Sequence, residues 1–179
     1  MRTLTLLLGL LATLISGCGG NTYGYARTYA PLGDEVAFLQ REQDLSYQDV
    51  IRFPERYADQ VVGWFGVVTA MEDAGNGLTQ LRLDLRVHQE RHLCQDETDA
   101  SCRVTVSART IGPFLALVEV RPEDRDGPRR LWTGSLVKIY GTPTGHGDEE
   151  HGPSLRTLYY RHWPHGTFVT TTASGSMRQ

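Results

Sequence analysis

Between Gln80 and His88 the chain alternates without a break. Leu81, Leu83, Leu85 and Val87 fall on one side, and Gln80, Arg82, Asp84, Arg86 and His88 on the other. Successive side chains of a strand point to opposite faces, so a period of two predicts a half-buried antiparallel strand whose leucine face meets a core.

The surrounding sequence extends this pattern. Val61 to Met71 is β-branched and aromatic and contains Gly63 and Gly66, and Gly75-Asn76-Gly77 is a turn signal before the alternating strand. Val104 and Val106 begin another strand, and the apolar run Phe114 to Val120 pairs or packs nearby. Pro122 to Pro128 reads as a charged loop, Ser135 to Tyr140 as a strand ending at Gly141, and Gly145 to Pro153 as a polar turn holding His146 and His151. Leu155 to Phe168 supplies a last strand broken at Pro164. Helix is scarce. Asp34 to Gln43 allows a turn or two around Val36, Phe38 and Leu39; Ser46 is placed as an N-cap for Tyr47 to Arg52, which Pro54 ends. About five strands with little helix predict a mainly β domain, a small closed or nearly closed antiparallel β-barrel with a short N-terminal helix; a sandwich is the alternative.

The N-terminus carries a different message. Arg2 precedes an apolar run from Leu4 to Ile15, which ends in Ile15-Ser16-Gly17-Cys18. A short positive segment and an h-region of this length are the marks of an export signal. The run is shorter than the roughly 20 residues a membrane-spanning helix needs. An aliphatic residue, two small residues and Cys form a lipobox, so residues 1–17 are expected to be removed and Cys18 to be lipidated as the new N-terminus. Several acyl chains at one residue anchor a protein to a bilayer without a spanning helix. Gly19, where enteric-type sorting would need Asp for inner-membrane retention, directs the expectation to the outer membrane.

The rest divides into a tether at 18–45, a barrel domain at 46–172 and a loose tail at 173–179. Tyr23, Tyr25 and Tyr29 of the tether either pack on the domain or do nothing. Loss of Arg2 moves the formal charge from −3 to −4, so no overall basic character points to nucleic acid. Lys138 is the sole lysine. In an oxidising compartment the two remaining cysteines, Cys94 and Cys102, are expected to form a disulfide across a short polar loop.

The order of these features resembles the Slp family of outer-membrane lipoproteins. The resemblance rests on the lipobox, Pro54-Glu55-Arg56-Tyr57, the run Val61-Val62-Gly63-Trp64-Phe65-Gly66-Val67-Val68, the strand Gly134 to Gly141, and the closing segment Tyr159-Tyr160-Arg161-His162-Trp163-Pro164. It implies an OB-fold-like barrel, an outer-membrane location with an envelope maintenance or stress role, and no catalytic residues. The Cys94–Cys102 insert and the histidine-containing turn at 146–151 depart from that pattern.

The residues admit three classes of chemistry. For zinc, His88, His92, Cys94 and Cys102 supply suitable atoms. Residues four apart in one strand, however, lie about 13 Å apart, too far to share an ion, and oxidised thiols do not ligate. His146, His151, His162 and His165 lack ligand spacing. The expectation is therefore no metal, no cofactor and no enzyme, with a zinc-dependent enzyme as the third reading. Hydrolase signatures are missing too: there is no Gly-x-Ser-x-Gly, Ser135 stands alone, and no Gly-rich loop leads into a helix. The second reading is a carbohydrate- or peptidoglycan-binding module. OB-fold-like barrels present a strand face to oligomeric ligands, and the candidate residues are Arg82 and Arg86 on one strand and Tyr159, Arg161 and Trp163 on another. The expected partners are a membrane through the lipid and an envelope protein or glycan.

Overall fold

The computed structural model describes residues 27–94, 102–145 and 150–172. Expectations for the signal, Cys18, residues 19–26, the loop 95–101, His146 and the tail at 173–179 lie outside these residues. The strands are β1 (Arg27–Thr28), β2 (Val62–Gly75), β3 (Leu78–His88), β4 (Arg91–His92), β5 (Val104–Val118), β6 (Leu136–Pro143), β7 (Ser154–Trp163) and β8 (Phe168–Thr170). Two short helices, α1 (Val36–Leu39) and α2 (Tyr47–Arg52), precede the barrel.

Five strands close on themselves in the order β3-β2-β6-β7-β5, with β5 returning to β3, and β8 extends the sheet from β5. Counted along the chain, the barrel strands follow one another as 1-2-3-5-4, the Greek-key arrangement of an OB-fold-like barrel. Four seams are antiparallel. The fifth departs from a purely antiparallel barrel: β5 and β7 run parallel at Leu115 to Leu117 against Ser154 to Arg156. The two apolar runs at 104–106 and 114–120 are one long strand, bent near Gly112-Pro113, which lets a single segment serve both β3 and the distant β8.

Local chemistry explains the joints. Gly75 pairs with Leu78, so Asn76 and Gly77 are the two residues of a hairpin loop, and both have positive φ, 54° and 78°. That backbone matches the right-handed twist of the flanking strands, and Asn-Gly is its preferred dipeptide. A Cβ at Gly66 would lie 2.7 Å from the Phe114 ring. The glycine inside β2 thus makes room for a phenylalanine that fills the barrel. Ser46 caps α2 as expected, its Oγ accepting from Asp49 N at 3.1 Å. The helix then buries Val50 and Tyr47, whose hydroxyl donates to Pro113 O at 2.7 Å.

Leu81, Leu83 and Leu85 point inward, with Leu81 and Leu83 fully buried. They meet Trp64, Val68, Phe114, Ala116, Ile139 and Leu155 in the barrel core. Val87 does not follow them: it is 49% exposed. The pairing of β3 with β2 ends at Arg86, and its register against β5 shifts on both sides of Arg86, so Val87 has left the barrel interior.

A second, smaller core lies on the outside of the barrel, where Phe65, Val104, Val106 and Leu136 pack with Tyr29, Val67, Trp163 and Phe168. Tyr29 belongs to the segment expected to be a tether. From Tyr29 onward that segment packs against the barrel.

The core assignment makes a direct prediction. Leu83→Ala should cost about 2–5 kcal/mol in urea denaturation, the range of buried leucine truncations, whereas Val87→Ala should stay within about 0.5 kcal/mol. Equal losses at the two positions would contradict the inward–outward assignment.

Candidate functional site

The register of β2, β6 and β7 lines up three rows of outward side chains: Gly63, Tyr140 and Tyr159; Phe65, Lys138 and Arg161; Val67, Leu136 and Trp163. Tyr159, Arg161 and Trp163 therefore share one face, as their spacing predicts. That face is not open, because residues 29–45 lie across it.

The contact centres on Glu35, which has no solvent exposure. A 3₁₀ turn at Gly33–Glu35 aims its carboxylate at the barrel. The carboxylate accepts hydrogen bonds from the Tyr29 hydroxyl, from Tyr140 Oη at 2.8 Å, from Arg161 Nη1 at 3.1 Å and from Leu32 N at 3.0 Å. Burial alone would push its pKa up. The donors from Tyr29, Leu32, Tyr140 and Arg161 outweigh that, and the net shift is downward. Tyr29 and Tyr140 move the opposite way, first through burial and then through donation to Glu35, so both stay protonated and keep donating.

Lys138 sits beside this group and is 4% exposed. Its ammonium is 3.0 Å from Glu42 Oε2 and lies over the rings of Tyr140, Tyr29 and Phe65 at 4.5, 5.2 and 5.3 Å. Arg161 likewise lies over Trp163 and Tyr29, at 4.7 and 5.3 Å. The strap thus brings two carboxylates to a face carrying two cations, with aromatic rings between them. Phe38 of α1 extends the contact by stacking on Tyr159 at 5.0 Å.

The histidines depart from the sequence expectation. His88 and His92 are not 13 Å apart on one strand. The chain bends at Gln89-Glu90 between β3 and β4, and the two Nε2 atoms come within 3.3 Å. His88 stacks on Phe65 at 4.3 Å, and Tyr29 packs edge-on against both imidazoles. Burial, the neighbouring His92 and Lys138 lower the His88 pKa to about 4. Burial and Arg161 lower that of His92. Both rings are neutral at pH 7, one nitrogen donating to the other.

The zinc ligand set is not assembled by this arrangement. Cys94 and Cys102 are joined in a disulfide with Cα atoms 3.9 Å apart, beside the Leu93–Arg103 bridge. Lys138 and Arg161 also place positive charge near the histidine pair, and among the described residues no group of three His, Cys, Asp or Glu side chains converges.

Arg82 and Arg86 lie on β3, which does not adjoin β7 in the barrel, so the five candidate ligand residues form two separate groups. Arg86 donates to the carbonyls of Ser107 and Ala108 and approaches Asp84 at 3.7 Å. Arg82 lies between Ala70 and Leu115, and its Nε has no hydrogen-bond partner among the described residues.

A cleft of about 560 Å³ opens between strap and barrel, lined by Tyr29, Glu42, Gly63, Trp64, His88 and Lys138 among others. A neighbouring hollow of about 400 Å³ shares most of these residues and reaches Tyr47 and Ile111. Its aromatic and charged lining suits a polar ring-shaped group. Glu35, Glu42 and Tyr140 were not singled out from the sequence; the visible signal was Lys138, a lone lysine between Val137 and Ile139 in an apolar strand.

The chain matches no protein-family model and no curated protein.

Two predictions follow from the charges. Glu35→Ala strands the Arg161 cation and two tyrosine hydroxyls. It should cost about 3 kcal/mol, the lower end for a broken buried pair, because the Arg161 side chain keeps 20% exposure. For pH, the depressed His88 value means the unfolded chain binds the proton more readily. The associated stability is complete above the ordinary value of 6.5 and is lost as pH falls through about 4. The midpoint of chemical denaturation should therefore drop across that window, and His88→Gln should flatten the drop. An unchanged slope in the variant would remove His88 from the account.

Proposed function

We propose that this chain is a lipid-anchored envelope protein of the Slp type. In this reading Cys18 carries the acyl chains in the outer membrane, and a non-enzymatic OB-fold-like domain serves envelope maintenance or stress. The observation that carries the reading is the lipobox Ile15-Ser16-Gly17-Cys18 placed just ahead of the strap. Between Cys18 and Arg27 the chain can span at most about 30 Å when fully extended, so an acylated Cys18 would hold the barrel close to the bilayer. The bonded pair Cys94–Cys102 agrees with an oxidising compartment. No described helix is long and apolar enough to cross a membrane, and lipid anchoring requires none.

The ionisable groups of the outer face support a structural role over a catalytic one. Glu35, Glu42, Lys138 and Arg161 are engaged with one another and with the rings around them. A second reading, a carbohydrate- or peptidoglycan-binding module, is favoured by the cleft beside Trp64 and Lys138.

The test is Cys18→Ser in cells fed a labelled fatty acid. The wild-type protein should carry label and fractionate with the outer membrane. The variant should lose the label and be left uncleaved or released. A variant that is still processed, labelled and membrane-bound would end the lipoprotein reading. Retention of the released variant on purified peptidoglycan, abolished by Glu42→Gln, would bring the second reading to the front.

A further inference from the structure

We propose that the loop between β5 and β6 is a second membrane contact, in which Trp132, Arg129 and Arg130 rest on an anionic phospholipid surface. This rests on the lipid-anchoring reading above.

Trp132 is 56% exposed, the largest exposure of any bulky apolar side chain among the described residues. The loop holds it outward. Leu131 on one side is 2% exposed, with its N–H donating to Asp124 O at 2.8 Å. On the other side Trp132 N donates to Ser135 Oγ at 3.1 Å and Ser135 N donates to Trp132 O at 2.9 Å. With backbone and neighbour fixed, the indole has no inward path. Arg130 lies over its ring at 4.7 Å, which leaves the edge of the guanidinium free to donate.

The charges around this indole are sorted. Asp124 is buried against Arg121 at 2.8 Å, and Glu123 is 3.6 Å from the same arginine. Arg125 donates through Nε to Val120 O at 3.1 Å. Arg129 and Arg130 are exposed and make no ion pair among the described residues. An indole seeks the headgroup depth of a bilayer, where its apolar body and N–H are both satisfied, and arginine forks match lipid phosphates.

Position links the patch to the anchor. His162 Nε2 donates to Arg129 O at 2.8 Å, and the preceding residue, Arg161, donates to Ala30 O at 2.9 Å. The loop reaches β7 through the inner face at His162, opposite Val137, and the strap through the outer face at Arg161, so the two meet at the same end of the barrel. A chain held by Cys18 within about 30 Å of Arg27 would bring this end of the barrel to the bilayer first. Each arginine near an anionic surface strengthens partitioning by about fivefold, which is enough to orient a domain already confined there.

The test uses the mature acylated protein in bilayers of phosphatidylethanolamine and phosphatidylglycerol whose chains are brominated near the headgroup. Trp64 is buried in the barrel core, Trp163 is partly buried against the outer cluster, and both are present in either protein, so the difference between wild type and Trp132→Phe isolates the exposed indole. Quenching of wild type should exceed that of Trp132→Phe, and Arg129→Ala with Arg130→Ala should reduce the excess, as should added salt. Mass spectrometry of the same sample reads the acyl group. An acylated protein whose quenching is equal to that of Trp132→Phe overturns the membrane patch alone. Absence of the acyl group overturns the anchoring reading and the patch with it.

Discussion

The outer face of β6 and β7 carries two cations, Lys138 and Arg161, on strands whose inner residues fill the core. A charge withdrawn from water without a partner costs more than a small domain can spare. The pairing of Glu35 with Arg161, and of Glu42 with Lys138, resolves this. Both carboxylates come from a segment of low regular structure that also brings Tyr29 and Phe38 to the same face. Once they are seated, Tyr29 and Phe38 follow, and the outer aromatic cluster closes over Phe65 and Trp163. The strap is thus held by ion pairs and aromatic contacts together. Its hydrogen bonds to Glu35 satisfy the carboxylate on every side, the condition under which a buried ion pair is tolerated.

The barrel itself was largely legible. The period of two at Leu81 to Leu85, the Asn-Gly turn, the Ser46 cap and the break at Pro164 are local signals, and each marks an element within a residue or two of its observed bounds. What local signals could not carry was any pairing between distant segments. The parallel seam of β5 with β7 has no sequence mark, and neither has the fusion of two apolar runs into one bent strand. Val87 kept the alternation in sequence but lost it in space, because the pairing of β3 with β2 stops at Arg86.

The candidate site was less legible, for the same reason. Arg161, Tyr159 and Trp163 were recognised as one face, but the chain's own residues 29–45 turned out to occupy it. Their fit depends on Glu35 meeting partners more than a hundred residues away. The histidines illustrate the complementary failure. A spacing argument that assumes one straight strand separates His88 from His92, and a bend at two residues brings them into contact. The face resembles a ligand platform because the same chemistry, rings around cations, recognises an external group or an internal one.

The reach of the Glu35 contacts also bears on the order of assembly. Tyr140 and Arg161 follow Glu35 by 105 and 126 positions. Contacts of such sequence separation form late, after the shorter loops have closed. On any route that delivers the chain N-terminus first, the strap emerges early and waits until β6 and β7 exist before it can seat. Residues 29–45 therefore keep their apolar and charged side chains exposed until the last barrel strands have paired. The last event of folding is then the one that takes Glu35 out of water and closes the outer aromatic cluster.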